Sequence, residues 1–139
     1  GSSHIIHLHG ELTKVCSSRD PHNPHYIKEL KPEEYEVKMG DKAGDGTQLR
    51  PFIVWFGEAV PEIETAIQYV EKADIFVIIG TSLNVYPAAG LLHYVPRGAE
   101  VYLIDPKPVD THTSRSIHVL RKGASEGVEE LKQLLIPVP

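Results

Sequence analysis

The stretch IFVIIGTSLNVYPAAGL, residues 75–91, decides the fold. Five apolar residues, Ile75–Ile79, run without alternation into Gly80, Thr81 and Ser82, and Pro87 then opens a run of small residues suited to a helix. A continuous apolar run of strand length predicts a strand covered on both faces, as in a parallel α/β sheet. The turn from such a strand toward a helix lies at the carboxyl edge of the sheet, where open α/β sheets take their ligands. Glycine there lets a ligand approach the backbone, and two adjacent hydroxyls can hydrogen-bond a ribose or a phosphate. The pattern points to a nucleotide.

On the amino-terminal side, residues 5–8 predict a short buried strand ending at His9-Gly10, with residues 11–15 extending it or starting another. Residues 17–50 change character, with Pro21, Pro24, Pro32, Gly40, Gly44 and Gly46, many charges and few aliphatics. This is a polar insertion or small subdomain, with a hairpin or short strand around residues 35–39; long connections of this kind are often functional. Residues 51–56 return to strand character. Pro61 suits a first helical turn, and Ile63, Ala66, Ile67 and Val70 make one apolar helical face. After Ile75–Ile79, a helix is predicted over residues 87–94, a buried strand over 101–104 ending at Asp105-Pro106, and a weaker strand over 117–120. A closing helix over 128–135 places Val128, Leu131, Leu134 and Leu135 on one face. Alternation of strands and helices predicts an α/β fold with a mostly parallel sheet.

The bulk properties narrow the classes. The 139 residues fit one domain, and 41% hydrophobic with 24% charged residues is ordinary for a globular protein. A net charge of −5 argues against a nucleic-acid or anionic-membrane surface. No apolar run approaches the ~18 residues that span a bilayer. No signal peptide precedes the first predicted strand, which makes cytoplasmic the default expectation. The single cysteine, Cys16, excludes an internal disulfide and fits a reducing compartment.

Several residues can carry chemistry. His9 sits at a predicted strand end before a glycine, where an imidazole can exchange protons with a ligand near neutral pH; it is also one of three neighbouring histidines with His4 and His7. Val54-Trp55-Phe56-Gly57-Glu58 sets two large aromatics at a strand end, either as core aromatics or as an apolar slot beside backbone that can pair with an extended peptide. Asp105, 25 residues beyond Gly80, either accepts hydrogen bonds from ribose hydroxyls or makes an Asp-Pro turn. Cys16, His22 and His25 lack an obvious fourth zinc ligand, and solvated loop histidines are the better reading. The chain carries neither G-x-G-x-x-G nor G-x-x-x-x-G-K-[ST].

Taken in order, three segments resemble the sirtuins, the NAD-dependent protein lysine deacylases. Residues 6–12 (IHLHGEL) are similar to the family's catalytic-histidine strand, residues 49–58 (LRPFIVWFGE) to its Arg-Pro…Phe-Gly-Glu segment, and residues 80–89 (GTSLNVYPAA) to its NAD segment. The resemblance extends from His4 to about Leu135 and is to the bacterial type related to class III. It implies a Rossmann-like domain formed by residues 1–15 and 51–139, with residues 16–50 as a small inserted module. It implies His9 as catalytic base in transfer of the acyl group of acyl-lysine to ADP-ribose, with release of nicotinamide. Val54 would hold the acyl-lysine nitrogen through its carbonyl, Trp55 and Phe56 would wall the acyl tunnel, and Gly57 and Glu58 would begin the loop that pairs with substrate backbone. Gly80, Thr81 and Ser82 would bind NAD ribose and phosphate. Asp105 would take the place of an asparagine at the adenosine ribose, and Gly123 and Ala124 would lie by the adenine.

Two departures qualify these expectations. The family usually carries four cysteines for structural zinc, and Cys16 alone makes the inserted module read as zinc-free, its loop held by Tyr26, Ile27, Leu30, Tyr35 and Val37. The family's Gly-Ala-Gly-x-Ser phosphate loop, Phe-Arg and Gln-Asn-x-Asp segments are not among these residues. The expectation is therefore the C-terminal portion of a sirtuin, inactive by itself, with an exposed sheet edge open to self-association. The alternatives are a non-catalytic module that binds ADP-ribose, NAD or acyl-peptide, and an unrelated Rossmann-like domain.

Overall fold

The computed structural model describes residues 2–111 and 113–136. The chain divides into two compact units, Gly1–Glu62 and Ile63–Pro139. In the first unit the strands are β1 (Gly10–Ser17), β2 (Lys28–Glu29) and β3 (Leu49–Ile53), in the order β2-β1-β3. Both pairings are antiparallel, and β1 and β3 slip register between Glu11 and Val15. Val15, Cys16 and Ser17 are the buried end of β1.

The strand expected over residues 5–8 is absent; a loop and turn stand there, and the strand begins at Gly10. Local bonds explain this: Leu8 N–H donates to Ile6 O at 3.1 Å and Gly10 N–H to His7 O at 3.0 Å, which winds the backbone instead of extending it. His9 thus precedes a strand rather than ending one. Gly10 has φ +83°, and a Cβ at that position would overlap the carbonyl oxygen of Phe52 and lie 2.9 Å from Ile53 Cα, so β3 presses on it too closely for any side chain. Likewise β3 stops at Ile53, short of Phe56.

Residues 35–39 form neither strand nor hairpin, and Tyr35 and Met39 are exposed. Polar bonds hold the insertion. The fully buried Ser17 hydroxyl donates to Asp45 Oδ2 at 2.7 Å and accepts the amides of Arg19 and Asp20, both at 3.0 Å. Asp45 Oδ1 in turn accepts the Thr47 amide and hydroxyl. Gln48 spans the loop, accepting from Gly40 N–H and donating to the carbonyls of Lys38 and Leu49. Of the expected apolar set, Tyr26 packs on Gly44 and Ile27, Leu30 and Val37 are half-buried, while Tyr35 contributes no burial.

The second unit carries the parallel sheet read from the sequence. Its elements are α1 (Ile63–Val70), β4 (Ile75–Ile79), a 3₁₀ helix over Ala88–Tyr94, β5 (Glu100–Ile104), β6 (His118–Leu120) and α2 (Ala124–Leu135). The strand order is β4-β5-β6, and both pairings are parallel. β5 is covered on both faces, with its side chains alternating between them. Val101 and Leu103 pack with Val70, Ile78, Leu92 and Val95 on one face; Tyr102 and Ile104 pack with Leu131 on the other. β4 is an edge strand of this sheet, so Ile75 and Ile79, expected to be covered on both faces, are each 43% exposed. α2 turns Gly127 and Leu131 inward and leaves Val128 and Leu134 exposed, a rotation from the expected face that Gly127 explains. A Cβ on Gly127 would overlap Ile104 Cγ2, so the helix settles on the sheet at its one residue without a side chain. No helix among the described residues is long and apolar enough to cross a membrane.

Candidate functional site

In the first unit, His9 lies exposed in the turn before β1, its carbonyl accepting the Val54 amide at 3.0 Å. That bond continues the β1–β3 pairing and fixes Val54 opposite His9, so the two sequence-predicted residues are neighbours. A cavity of 40 Å³ lined by His7, Leu8, Gly10, His22, Phe52 and Val54 adjoins them. It is far below the roughly 300 Å³ of a small-molecule pocket.

Beyond β3 the chain turns sharply through Trp55, Phe56 and Gly57, the last at φ +88°. Trp55 is 53% and Phe56 94% exposed, so these are displayed aromatics rather than core residues. Arg50 holds the turn. Its guanidinium donates to both Glu58 carboxylate oxygens, at 2.6 and 3.0 Å, and to Ile53 O at 2.9 Å. Glu58 Oε2 also accepts the Trp55 amide at 3.0 Å. The Arg50 guanidinium, and after it the Trp55 amide, hold the Glu58 carboxyl down at a pKa of about 2. Behind this pair Cys16 is fully buried, and burial pushes its thiol up from the ordinary value.

Cys16 Sγ points at the Pro51 carbonyl, 3.7 Å away, while His22 sits edge-on to Phe52. One buried thiol already engaged with a carbonyl does not fit a four-cysteine zinc site. Among the described residues no three His, Cys, Asp or Glu side chains are grouped to hold a metal.

In the second unit, the remaining predicted residues share one sheet edge. Ile79, Ile104 and Leu120 are the last paired residues of the three parallel strands, and Gly80, Asp105 and Arg121 follow them. Adjacent strands run about 4.8 Å apart, so Gly80 and Asp105 begin neighbouring loops, and Gly80 N–H donates to Ile104 O at 3.0 Å. Gly80 adopts φ +62° with open space where a Cβ would stand. Thr81 Oγ1 accepts the Leu83 amide at 3.2 Å, and Leu83 is held at φ +55°, rare for leucine. Asp105 Oδ1 accepts the Lys107 amide at 2.8 Å, which builds the Asp-Pro turn. Gly123 and Ala124 open α2 three residues after β6 ends, so amides at the N-terminus of α2 belong to the same edge.

Comparisons with known proteins give the family. The sequence model of the Sir2 family matches residues 1–87, more than half of the chain. The chain belongs to the Sir2 family. It is 96% identical over all 139 residues to an NAD-dependent protein deacylase of Bacteroides thetaiotaomicron, covering 59% of that protein. It is 43% identical over 136 residues to an NAD-dependent protein deacylase of Helicobacter pylori, covering 98% of this chain and 57% of the relative. Among solved structures, a mutant Sir2 homologue in complex with ADP-ribose matches with a TM-score of 0.80 at 32% identity, over 100% of this chain and 57% of that one. The chain therefore spans somewhat under three-fifths of the length of the Sir2 relatives it matches.

Two residues of the site region escaped the sequence reading. Arg50 was visible only as part of a motif, because an arginine before a proline gives no periodic signal of its carboxylate partner. Gly127 lay outside the helix predicted over residues 128–135; α2 begins at Ala124 and so takes this glycine into its interior, where glycine costs about 1 kcal/mol against alanine and calls for a packing reason.

Proposed function

We propose that the protein to which these residues belong is an NAD-dependent protein lysine deacylase. The observation that carries the reading is the shared carboxyl edge of the parallel sheet, where Gly80, Thr81, Ser82, Asp105, Gly123 and Ala124 stand together, in a chain whose Sir2 relatives are named NAD-dependent protein deacylases. The open space at Gly80 and the hydroxyls beside it suit ribose and phosphate, and the Asp105 carboxylate can accept from a ribose hydroxyl. NAD, when bound, supplies the ADP-ribose that accepts the acyl group. The balanced reaction consumes acyl-lysine, NAD and water and yields lysine, nicotinamide and O-acyl-ADP-ribose.

His9 is the proposed general base, removing the proton of the accepting ribose hydroxyl. Val54 would orient the acyl-lysine nitrogen through its carbonyl, with Trp55, Phe56 and Gly57 flanking the substrate. In this reading residues 1–15 and 51–139 belong to the NAD-binding domain and residues 16–50 form the inserted module. A cytoplasmic setting is supported by the single, buried, unpaired cysteine.

The test is mass spectrometry of an acetyl-lysine peptide incubated with the full-length protein, with and without NAD. Loss of the acetyl group in step with nicotinamide release supports the proposal. ADP-ribose binding without turnover would leave a binding module instead, and neither would remove both readings.

A further inference from the structure

Glu58 was expected to meet substrate, but its carboxylate is already engaged by three donors: two from Arg50 and the Trp55 amide. The same guanidinium holds Ile53 O, the last carbonyl of β3. The turn is thereby closed from both ends. Arg50 anchors its entrance at Ile53 and its exit at Glu58, and Glu58 returns to the backbone of Trp55, whose carbonyl accepts the Glu58 amide at 3.0 Å. Between these anchors stand the two exposed aromatics, Trp55 and Phe56, on the flexible φ of Gly57. A turn with large apolar side chains in water gains little from its own packing, so its conformation depends on such bonds. A two-pronged arginine–carboxylate contact fixes geometry as well as supplying energy, and the Arg50 side chain is 17% exposed against 38% for Glu58, so the contact is shielded from water on the arginine side only.

We propose that Arg50 is a positioning residue for the acyl-lysine substrate, acting through Glu58 to hold the Trp55–Phe56 turn in its receiving conformation. The proposal rests on the deacylase reading, and it assigns Glu58 to the latch rather than to substrate contact. Its specific consequence is a split between substrates: the turn serves the acyl-peptide, while the nucleotide residues lie on the edge of the other sheet.

Arg50→Lys keeps a cation without the fork, and Glu58→Gln keeps the shape without the charge. In the full-length protein each should raise KM for an acetyl-lysine peptide about tenfold, the loss of roughly one charge-assisted hydrogen bond, with KM for NAD unchanged. In the 139-residue chain Trp55 is the only tryptophan, so its emission should move to longer wavelength and its acrylamide quenching should rise, while far-UV circular dichroism stays as in the wild type. If Arg50→Lys fails to fold, the half-exposed Glu58→Gln carries both measurements. Unchanged peptide KM and unchanged quenching overturn the latch, as does an equal loss for peptide and NAD. A wild-type protein without turnover defeats the deacylase reading alone; the fluorescence then still decides whether the fork holds the turn.

Discussion

Gly127→Ala sets helix propensity against packing at one contact. In a helix interior alanine is favoured over glycine by about 1 kcal/mol. At Gly127, however, the new methyl would overlap Ile104 Cγ2, with Ile104 Cβ and Cδ1 only 3.4 and 3.5 Å away. Ile104 is fully buried on the central strand, and a β-branched side chain has little freedom at χ1. Relief requires an off-rotamer isoleucine or lifting of α2, which loosens Leu131 from Tyr102 and Ile104. Overpacking of this kind costs typically 1–3 kcal/mol, and the near-total overlap places it in the upper half. The net expectation is destabilisation by about 1–2 kcal/mol. Urea unfolding followed by circular dichroism measures it. Ile104→Leu removes Cγ2, so Gly127→Ala in that background should recover most of the loss, a coupling of about 2 kcal/mol. Stabilisation by about 1 kcal/mol in both backgrounds would refute the reasoning, because propensity alone would then account for the change.

Acid should act first on the amino-terminal unit. Asp45 is held at a pKa of about 2 by the Ser17 and Thr47 hydroxyls, with the Thr47 amide and the Arg19 charge adding to them. Glu58 is held at about 2 by Arg50 and the Trp55 amide, with His22 adding to them. Both folded values lie below the unfolded ones, so the stabilisation is complete above about pH 5 and is lost as pH falls through about 2. Trp55 emission across an acid titration should show that transition, and a trace flat to the acid limit would count against it. Gly10→Ala should cost more than about 2 kcal/mol, because the new methyl would meet the Phe52 carbonyl and the backbone would keep a positive φ; a melting temperature equal to the wild type would contradict this.

The parallel sheet was legible because β4, β5 and β6 are short apolar runs separated by helical periodicity, and local pattern suffices there. Boundaries were less so. Residues 5–8 are as apolar as a strand, but the close approach of β3 to Gly10 fixes where pairing begins, and that is a tertiary fact. The exposure of Trp55 and Phe56 had two readings in the sequence, since large aromatics serve cores and surfaces alike; the Arg50–Glu58 fork decides for display. The Ser17–Asp45–Thr47 hub joins residues 28 and more apart, and small polar side chains in a Pro- and Gly-rich loop carry no periodicity from which such pairing could be inferred.

The most direct test of the account is nicotinamide release by the full-length protein with an acetyl-lysine peptide and NAD, wild type against His9→Ala. The account predicts NAD-dependent deacetylation that falls on the order of 100-fold or more in the variant, the usual worth of a general base, with ADP-ribose binding retained. Deacetylation that persists without NAD, or that is unaffected by His9→Ala, would contradict it.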